Sequence, residues 1–329
     1  MLLALTGDVM LGRMVNESVV ENRAVRPETL WGDLLPVMRR ADCRLINLEC
    51  VISDRGMPWH PNTKAFHFRA GPRAVEVLRA AGIDGVMLAN NHVLDYGEEA
   101  FLDCLRRLNG AGLTHAGAGA SVEEALAPAV FHIGERSLAL VALTDNEPEW
   151  EATHRKPGVN YVAYNDRGLL APYRQRIAQA LSLARRQADV VMVSAHVGPN
   201  WGAPSRAMRA LAHELIEMGA DLYWGHSNHT PQGIELYHGK PILYSAGDFV
   251  DDYMVDSAER NDLSFLFLVE VEENRIRQIL LHPIRIENCR VRRANEREST
   301  FLARTMQAKC AAFETSILFR EGVGTVTIA

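Results

Sequence analysis

The chain has 329 residues, and its 35 Lys+Arg against 41 Asp+Glu give a formal net charge of −6. Hydrophobic residues make up 47% of the sequence, which is typical of a globular protein with a sizeable core. The acidic balance argues against nucleic acid as the main partner, because binding to phosphate backbones requires a basic surface.

Short apolar runs alternate with segments of helical apolar spacing along the first two thirds of the chain. The short runs predict strands that end in polar loops, over 2–5, 44–48, 85–89, 137–143, 189–195 and 221–224. The helical spacing predicts helices over 28–40, 73–81, 98–108, 167–187 and 206–218. The stretch 146–166 lacks periodicity, so we expect a long surface loop there. The last third of the chain predicts strands over 233–237, 241–244, 263–271 and 275–286, a helix over 296–313 and a short final strand.

This order of elements predicts an α/β fold with mixed sheets, because strands alternate with helices before a more β-rich second half. No segment has the composition of a linker. We therefore expect a single domain over 1–329, in which the motifs discussed below lie within 2–255 and the remaining strands and helix lie within 256–329.

The sequence predicts a cytoplasmic protein without membrane insertion. No stretch approaches the roughly 18 consecutive apolar residues that span a bilayer. The N-terminal segment has no basic region before its short apolar run and no small-residue cleavage site, so we expect no signal peptide. The five cysteines form no CxxC pair, and we expect them to be free thiols in a reducing compartment.

Side chains that can bind a metal follow five of the predicted strands. They are Asp8, Glu49, Asn91 with His92, His196, and His226 with His229. Each one alone is also typical of a turn or of a buried, hydrogen-bonded side chain. Ligands of open α/β sheets bind beyond the carboxyl ends of the strands, so these groups are expected to converge. Carboxylate, amide and imidazole ligands together suit Mn, Fe or Zn, and the recurrence therefore predicts a metal site.

Longer stretches carry a resemblance to a known family. They are GDVMLGR at 7–13, NLE at 47–49, ANNH at 89–92 with Asp95 and Gly97, SAHVG at 194–198, GAD at 219–221, GHSNH at 225–229, QGIE at 232–235 and YSAGDF at 244–249. In these motifs and their order, the chain resembles the CapA-like poly-γ-glutamate capsule-synthesis family of the calcineurin-like metallophosphatase superfamily. The resemblance covers residues 2 to about 255 and implies a four-layer α/β/β/α sandwich with mixed sheets and a metal site at its edge.

The resemblance also implies roles for individual residues. It makes metal ligands of Asp8, Glu49, Asn91, His196, His226 and His229. His92 would be the general acid that protonates a leaving oxygen, and Asp95 would orient it. One or two divalent ions (Mn, Fe or Zn) would clamp the substrate and lower the pKa of bound water.

The chain departs at four places from the pattern of the superfamily or of the family. Val9–Met10 follow Asp8 where the superfamily usually has a histidine two residues after the aspartate, so one ligand of a first metal is missing. Glu49 stands for the bridging aspartate, Ser227 for a common histidine and Asp248 for a common asparagine. These departures leave the number of metal ions open between one and two.

Four further residues are candidates for contact with an anionic substrate. Arg13 closes the first motif, and Lys64 and Arg69 lie in a polar stretch where their cations could bind phosphate or carboxylate groups. Trp201 follows His196 closely and could form a wall of the pocket. Solvated surface charges, or a packing role for the tryptophan, are the alternatives at these positions.

The function predicted first is metal-dependent hydrolysis of a small anionic phosphoester. The missing histidine of the first motif motivates an alternative, which is chemistry on a peptide or on poly-γ-glutamate. This alternative includes amide hydrolysis and proton abstraction at an α-carbon. A non-catalytic accessory of capsule assembly is a third possibility, since a fold does not fix a function.

Overall fold

The computed structural model describes residues 1–60 and 64–328, and within them two large β-sheets of ten and six strands dominate. The ten-stranded sheet runs in the order Leu318–Arg320, Val323–Thr327, Arg275–Glu287, Leu263–Glu272, Leu2–Val9, Cys43–Leu48, Gly85–Met87 and Thr114–Ala116, with Asp248–Val250 beside Leu2–Val9 and Arg290–Arg293 beside Arg275–Glu287. The six-stranded sheet runs in the order Ile234–Tyr237, Lys240–Leu243, Leu222–His226, Val190–His196, Arg136–Thr144 and Ala129–Ile133.

Short ladders and helices complete the described part of the chain. The two-stranded ladders pair Val51–Ile52 with Arg69–Ala70, Ala118–Gly119 with Gly158–Val159, and Tyr164–Asn165 with Gly168–Leu169. The α-helices are Arg13–Val15, Leu35–Met38, Ala74–Ala80, Gly97–Gly110, Val122–Leu126, Ala171–Gln187, Arg206–Glu217 and Glu296–Ala311. A π-helical turn spans Asn16–Val20, and 3-10 helices span Pro27–Leu34 and Pro148–Trp150.

The two large sheets pack face to face. Leu5 of the first sheet lies in one buried cluster with Leu140 and Met192 of the second. Leu302 of the C-terminal helix and Val326 of the last strand belong to the same cluster. The core between the sheets is therefore built from both ends of the chain.

Helices cover the outer faces of both sheets, because successive side chains of a strand point to opposite sides. Ile46 packs in a cluster with Leu78 and Phe101 of two helices on one side. On the other side, Val193 packs with Leu181 and Leu211 of two further helices. The resulting layers confirm the predicted α/β class with mixed sheets.

The continuous helix predicted over 28–40 is wrong. The segment forms a 3-10 helix over Pro27–Leu34 and then a short α-helix over Leu35–Met38. Gly32 breaks the helix with φ 52° and ψ −140°, where a Cβ would lie 2.1 Å from the carbonyl oxygen of Val291. The apolar residues that produce the helical spacing are buried, but the close approach of Val291 is a tertiary contact that spacing does not contain.

The long surface loop predicted over 146–166 is also wrong in part. Trp150 and Val159 are only 2% and 1% exposed, and Gly158–Val159 pairs with Ala118–Gly119. The following helix begins at Ala171, because Gly168–Leu169 forms a short ladder first. The apolar side chains buried here have no regular spacing, so no helix or strand was predicted from them.

No helix within 1–60 and 64–328 combines the length and the apolar character needed to cross a membrane. All five cysteines are free and buried.

Glu298 anchors the C-terminal helix in a way that predicts a pH-dependent stability. Asn295 and Glu298 form a reciprocal capping box, and the Glu298 carboxylate also accepts bonds from Arg285 and Arg292. The bond from Arg292 holds the pKa of Glu298 at about 2, against burial and below its ordinary value of 4.5. Stability from this carboxylate is therefore fully present above about pH 4.5 and is lost as the pH falls toward 2.

We expect Glu298→Gln to lower the free energy of unfolding by about 2 kcal/mol at pH 7, since glutamine has no charge and only one acceptor oxygen for the bonds from Arg285 and Arg292. The difference from the wild type should shrink below pH 4.5 in urea unfolding curves. Glu296→Gln, at an exposed position of the same first turn, is the matched control. A difference that stays constant between pH 7 and pH 3 would contradict this account.

Candidate metal centre

The strand register brings the predicted ligands to one end of both sheets. Asp8 lies opposite Asn47 on one side of its strand and opposite Asp248 on the other. In the second sheet, His196 and His226 are the last residues of neighbouring parallel strands and stand in register. The strand that carries Asp8 continues to Val9 and does not end before Thr6 as predicted, so Asp8 is held by ladder pairing on both sides.

Gly7 permits the close approach that fixes Asp8. The backbone N–H of Asp8 donates to the carbonyl oxygen of Gly247 at 2.9 Å. A Cβ on Gly7 would lie 2.0 Å from that same oxygen, so a larger residue would separate the two segments. Gly7 therefore leaves room for the segment that carries Gly247, and the hydrogen bond to that segment fixes the backbone of Asp8.

Asp8, Glu49 and His196 form a compact buried cluster. Each offers one ligand atom, and these atoms all lie within 4.8 Å of one another. His196 Nδ1 is 3.9 Å from Asp8 Oδ2, and His196 Nε2 is 3.8 Å from Glu49 Oε1. The three residues are at most 2% exposed. Two carboxylates and an imidazole are thus held together with little surface open to solvent.

The electrostatics of this cluster fit a bound cation. Burial raises the pKa of Asp8, but its interactions with His226 and His196 outweigh this and hold the value at about 2. Burial raises the pKa of Glu49 well above its ordinary value, and the neighbouring charge of Asp8 raises it further. Burial also lowers the pKa of His196 to about 3, which keeps the imidazole neutral and its lone pair available. A divalent cation would relieve the repulsion between the two carboxylates.

Two histidines next to this cluster are each oriented by a carboxylate. His226 Nδ1 donates to Asp8 Oδ1 at 2.7 Å, and its Nε2 is buried with no hydrogen-bond partner within the described chain. His229 Nδ1 donates to Asp248 Oδ1 at 3.0 Å. Burial alone would lower the pKa of His229, but Asp248 and Glu49 raise it to about 10. A carboxylate that holds one imidazole nitrogen beside a metal bound to the other is a common arrangement at metal sites, and a cation at His229 would displace the second proton of the ring.

Unpartnered buried atoms supply the test of whether a metal fits. Besides His226 Nε2, the amide oxygen of Asn91 and the second carboxylate oxygen of Asp248 are buried and lack a hydrogen bond in the described chain. Buried polar atoms without partners are rare in native proteins and call for an ion or water. The residues present therefore fit a divalent metal with oxygen and nitrogen ligands.

Asn47 and Tyr253 belong to the site although they were not among the predicted ligands. Asn47 Nδ2 donates to Asp8 Oδ1 at 2.8 Å and lies 3.2 Å from His196 Nδ1. The hydroxyl of Tyr253 lies 3.3 Å from Glu49 Oε2. Asn47 precedes Glu49 by two residues, and the period-2 alternation of a strand is a signal that could have identified it. No comparable sequence signal points to Tyr253.

His92 and Asp95 form a second functional pair beside the cluster. His92 Nδ1 donates to Asp95 Oδ2 at 2.5 Å, and the ring stacks on Phe68 with centroids 3.9 Å apart. Burial lowers the pKa of His92, although Asp95 opposes this. The imidazole is therefore neutral with its proton on Nδ1, and Nε2 is the ring atom left for proton exchange.

One cavity of about 440 Å³ joins the two groups. Its walls include Glu49, Asn91, His92, His196 and His229. The cavity therefore gives a substrate access to both the metal cluster and the candidate acid.

Three of the four residues predicted to contact substrate line this cavity. Arg13 and Trp201 line it, with Arg13 Nε 3.3 Å from Asp252 Oδ1 and the Trp201 ring 5.4 Å from that of His229. Lys64 also lines it, but its ammonium lies between the carboxylates of Asp95 and Glu147.

Arg69 is not among the described residues that line the cavity. Its guanidinium lies over the ring of Tyr96 at 4.1 Å from the centroid. The substrate-binding roles of Arg13, Lys64, Arg69 and Trp201 stay predictions.

The chain is similar to several known proteins. Residues 2–253 match the family described as bacterial capsule synthesis protein PGA_cap. A probable polyglutamine synthesis accessory protein of Mycobacterium tuberculosis is 33% identical over 303 residues, which are 88% of this chain and 78% of that protein. The PGA biosynthesis protein CapA of Bacillus subtilis is 28% identical over 248 residues, which are 75% of this chain and 62% of that protein. The capsule biosynthesis protein CapA of Bacillus anthracis is 29% identical over 253 residues, or 76% and 59%.

Proposed function

The chain belongs to the bacterial capsule synthesis protein family PGA_cap, and from this premise we propose that it is a metal-dependent hydrolase of phosphoesters, related to the metallophosphatases. One observation carries the proposal. The buried cluster of Asp8, Glu49 and His196 opens into the same cavity as His92, whose ring is held by Asp95. Metal ligands and a proton-transfer group that share one cavity are what hydrolysis by metal-activated water requires.

Six side chains are proposed to hold one or two divalent ions: Asp8, Glu49, Asn91, His196, His226 and His229. A bound Mn, Fe or Zn ion supplies Lewis acidity and lowers the pKa of coordinated water. Asp248 orients His229 through Nδ1, and Asn47 orients Asp8.

His92 is proposed to exchange a proton with the substrate through Nε2. The ring is neutral in the free protein because burial lowers its pKa. An anionic substrate in the cavity would raise that pKa, since a nearby negative charge favours the imidazolium. Asp95 keeps the donor on Nδ1, so the proton delivered to a leaving oxygen comes from Nε2.

Arg13 is proposed to bind the anionic group of the substrate at the cavity wall. Its side chain is 37% exposed and lies over the rings of Phe66 and Phe68, which leaves part of the guanidinium open to a ligand. We expect Arg13→Met to raise KM by about tenfold and to change kcat less, measured by steady-state kinetics. Arg209→Met is the matched control, because Arg209 also stacks on a phenylalanine, Phe313, but lies outside the cavity. An unchanged KM in Arg13→Met would contradict the proposed contact.

Chemistry on a peptide or on γ-linked glutamate is the second candidate function. The names of the relatives refer to polyglutamine or PGA synthesis, and the cavity exposes Phe66, Trp201 and Met254. Such exposed side chains suit a substrate longer than a small phosphoester. A neutral His92 is also suited to accept a proton, as amide hydrolysis or abstraction at an α-carbon requires. For either activity we propose a cytoplasmic location.

One experiment separates the candidates. The protein is stripped with a chelator and reconstituted in turn with Mn²⁺, Fe²⁺ or Zn²⁺. It is then incubated with an aryl phosphodiester, an aryl phosphomonoester and a γ-glutamyl oligopeptide.

We expect metal-dependent release of the phenol from the aryl phosphoesters, with no activity after stripping. Metal-dependent change in the mass or chirality of the peptide alone would support the second candidate. Activity of the stripped protein equal to that of the loaded protein would exclude both, and inactivity of every form would favour an accessory role.

A further inference from the structure

Lys64 lies among groups that support His92, and this placement suggests a role other than substrate binding. We propose that Lys64 is a positioning residue that clamps the turn over 91–95 and thereby fixes both the proton-transfer group His92 and the ligand Asn91. The proposal rests on the proposed function for its effect on catalysis. The effect of Lys64 on the orientation of His92 can be tested without measuring catalysis.

The ammonium of Lys64 contacts both ends of the turn. Nζ lies 2.9 Å from Asp95 Oδ1 and donates to the backbone carbonyl oxygen of Asn91. His92 stands between these two contacts in the sequence. One cation therefore holds the main chain before His92 and the carboxylate that orients its ring.

The carboxylate of Asp95 needs such a partner. Asp95 is fully buried, and its Oδ2 already accepts from His92 Nδ1 and from the backbone N–H of Phe68, at 2.5 and 2.7 Å. A buried carboxylate without a counter-charge is strongly destabilising. Lys64 is the cation in direct contact with this buried carboxylate.

A second segment keeps Lys64 in place. Glu147 Oε1 accepts from Nζ at 2.9 Å, and Nζ lies 4.2 Å from the ring centroid of the buried Trp150. Glu147 adopts φ 51°, a left-handed conformation that is uncommon for a residue other than glycine. A strained backbone persists where surrounding contacts hold it, and the ion pair with Lys64 is such a contact for Glu147. The side chain of Lys64 is only 11% exposed, so little of its charge faces the cavity.

The clamp predicts a specific kinetic pattern. Lys64→Met is expected to lower kcat by about 10- to 100-fold, the range typical of residues that orient a functional group. KM should change less than about twofold, because a positioning residue does not contact the substrate. Lys64→Arg retains a charge and should recover at least about half of the loss on a logarithmic scale. Lys240→Met is the matched control, since Lys240 also pairs with an aspartate and a backbone carbonyl, but far from the cavity.

A spectroscopic measurement tests whether Lys64 orients the His92 ring, independently of enzymatic activity. The imidazole nitrogens of histidine-labelled, metal-free protein are observed by ¹⁵N NMR, and the His92 signals are assigned by comparison with His92→Gln. In the wild type we expect the ring proton of His92 to lie on Nδ1. In Lys64→Met we expect the ¹⁵N signals of His92 to show a mixture of the two tautomers. Glu147→Gln, which keeps Lys64, should show a smaller change and serves if Lys64→Met does not fold.

The two readouts separate failure of the clamp from failure of the proposed function. An unchanged His92 tautomer in folded Lys64→Met would overturn the clamp, as would a tenfold rise in KM with unchanged kcat. If the wild type hydrolyses no substrate, the NMR result still decides the role of Lys64.

Discussion

Asp8→Asn is expected to reduce the bound metal to less than about a tenth of the wild-type amount and to lower hydrolysis by at least about a thousandfold. Asp8 belongs to the cluster with Glu49 and His196 and also accepts from His226. An asparagine fits the same space but removes the negative charge that balances the cation. The loss should exceed the roughly 10- to 100-fold effect of a residue that only supports a ligand. Elemental analysis and initial rates measure the two quantities.

Asp221→Asn is the matched control for this substitution. Asp221 forms ion pairs with Arg185 and Lys240 at the opposite end of its strand from His226. The same change of charge there should leave metal content and rate unchanged. Wild-type metal content in Asp8→Asn would show that Asp8 is not a ligand.

His92→Gln is expected to lower kcat by about 100- to 10,000-fold while the metal content stays at the wild-type level. The substitution removes the ring nitrogen Nε2 that would carry the proton to the leaving oxygen, but none of the six proposed ligands. The size of the effect should depend on the leaving group. An aryl leaving group departs without a proton, so its hydrolysis should fall less than that of an alkyl phosphoester.

The dependence on the leaving group gives the decisive comparison. His213→Gln is the control, because His213 pairs with Glu235 and stacks on Tyr237 outside the cavity. Equal losses for aryl and alkyl substrates would remove His92 from the role of general acid. A loss of metal in His92→Gln would instead make it part of the metal site.

The positions of the site residues were predictable to the extent that they follow strands. Asp8, His196 and His226 come at or near the ends of parallel strands, and such ends share one edge of a sheet. Asn47 could also have been found, because strand alternation places it on the same face as Glu49. The strand pattern of the sequence was thus sufficient to predict most residues of the metal cluster.

Contacts between distant segments were not predictable in this way. Lys64 reaches Asp95 and Glu147 across 31 and 83 residues, and nothing in its surroundings in the sequence distinguishes it from a surface lysine. The break at Gly32 likewise depends on the carbonyl of Val291, which approaches from the far end of the chain. Periodicity reports which face of an element is buried, but it does not report which segment covers that face.

Elemental analysis of the wild-type protein tests the central claim most directly. The protein is purified without added metal, dialysed against metal-free buffer, and measured before and after incubation with Mn²⁺, Fe²⁺ or Zn²⁺. The buried carboxylate–imidazole cluster predicts one or two tightly held divalent ions per chain. Less than about 0.1 ion per chain, with no uptake of any of the three metals, would contradict a metal-dependent function.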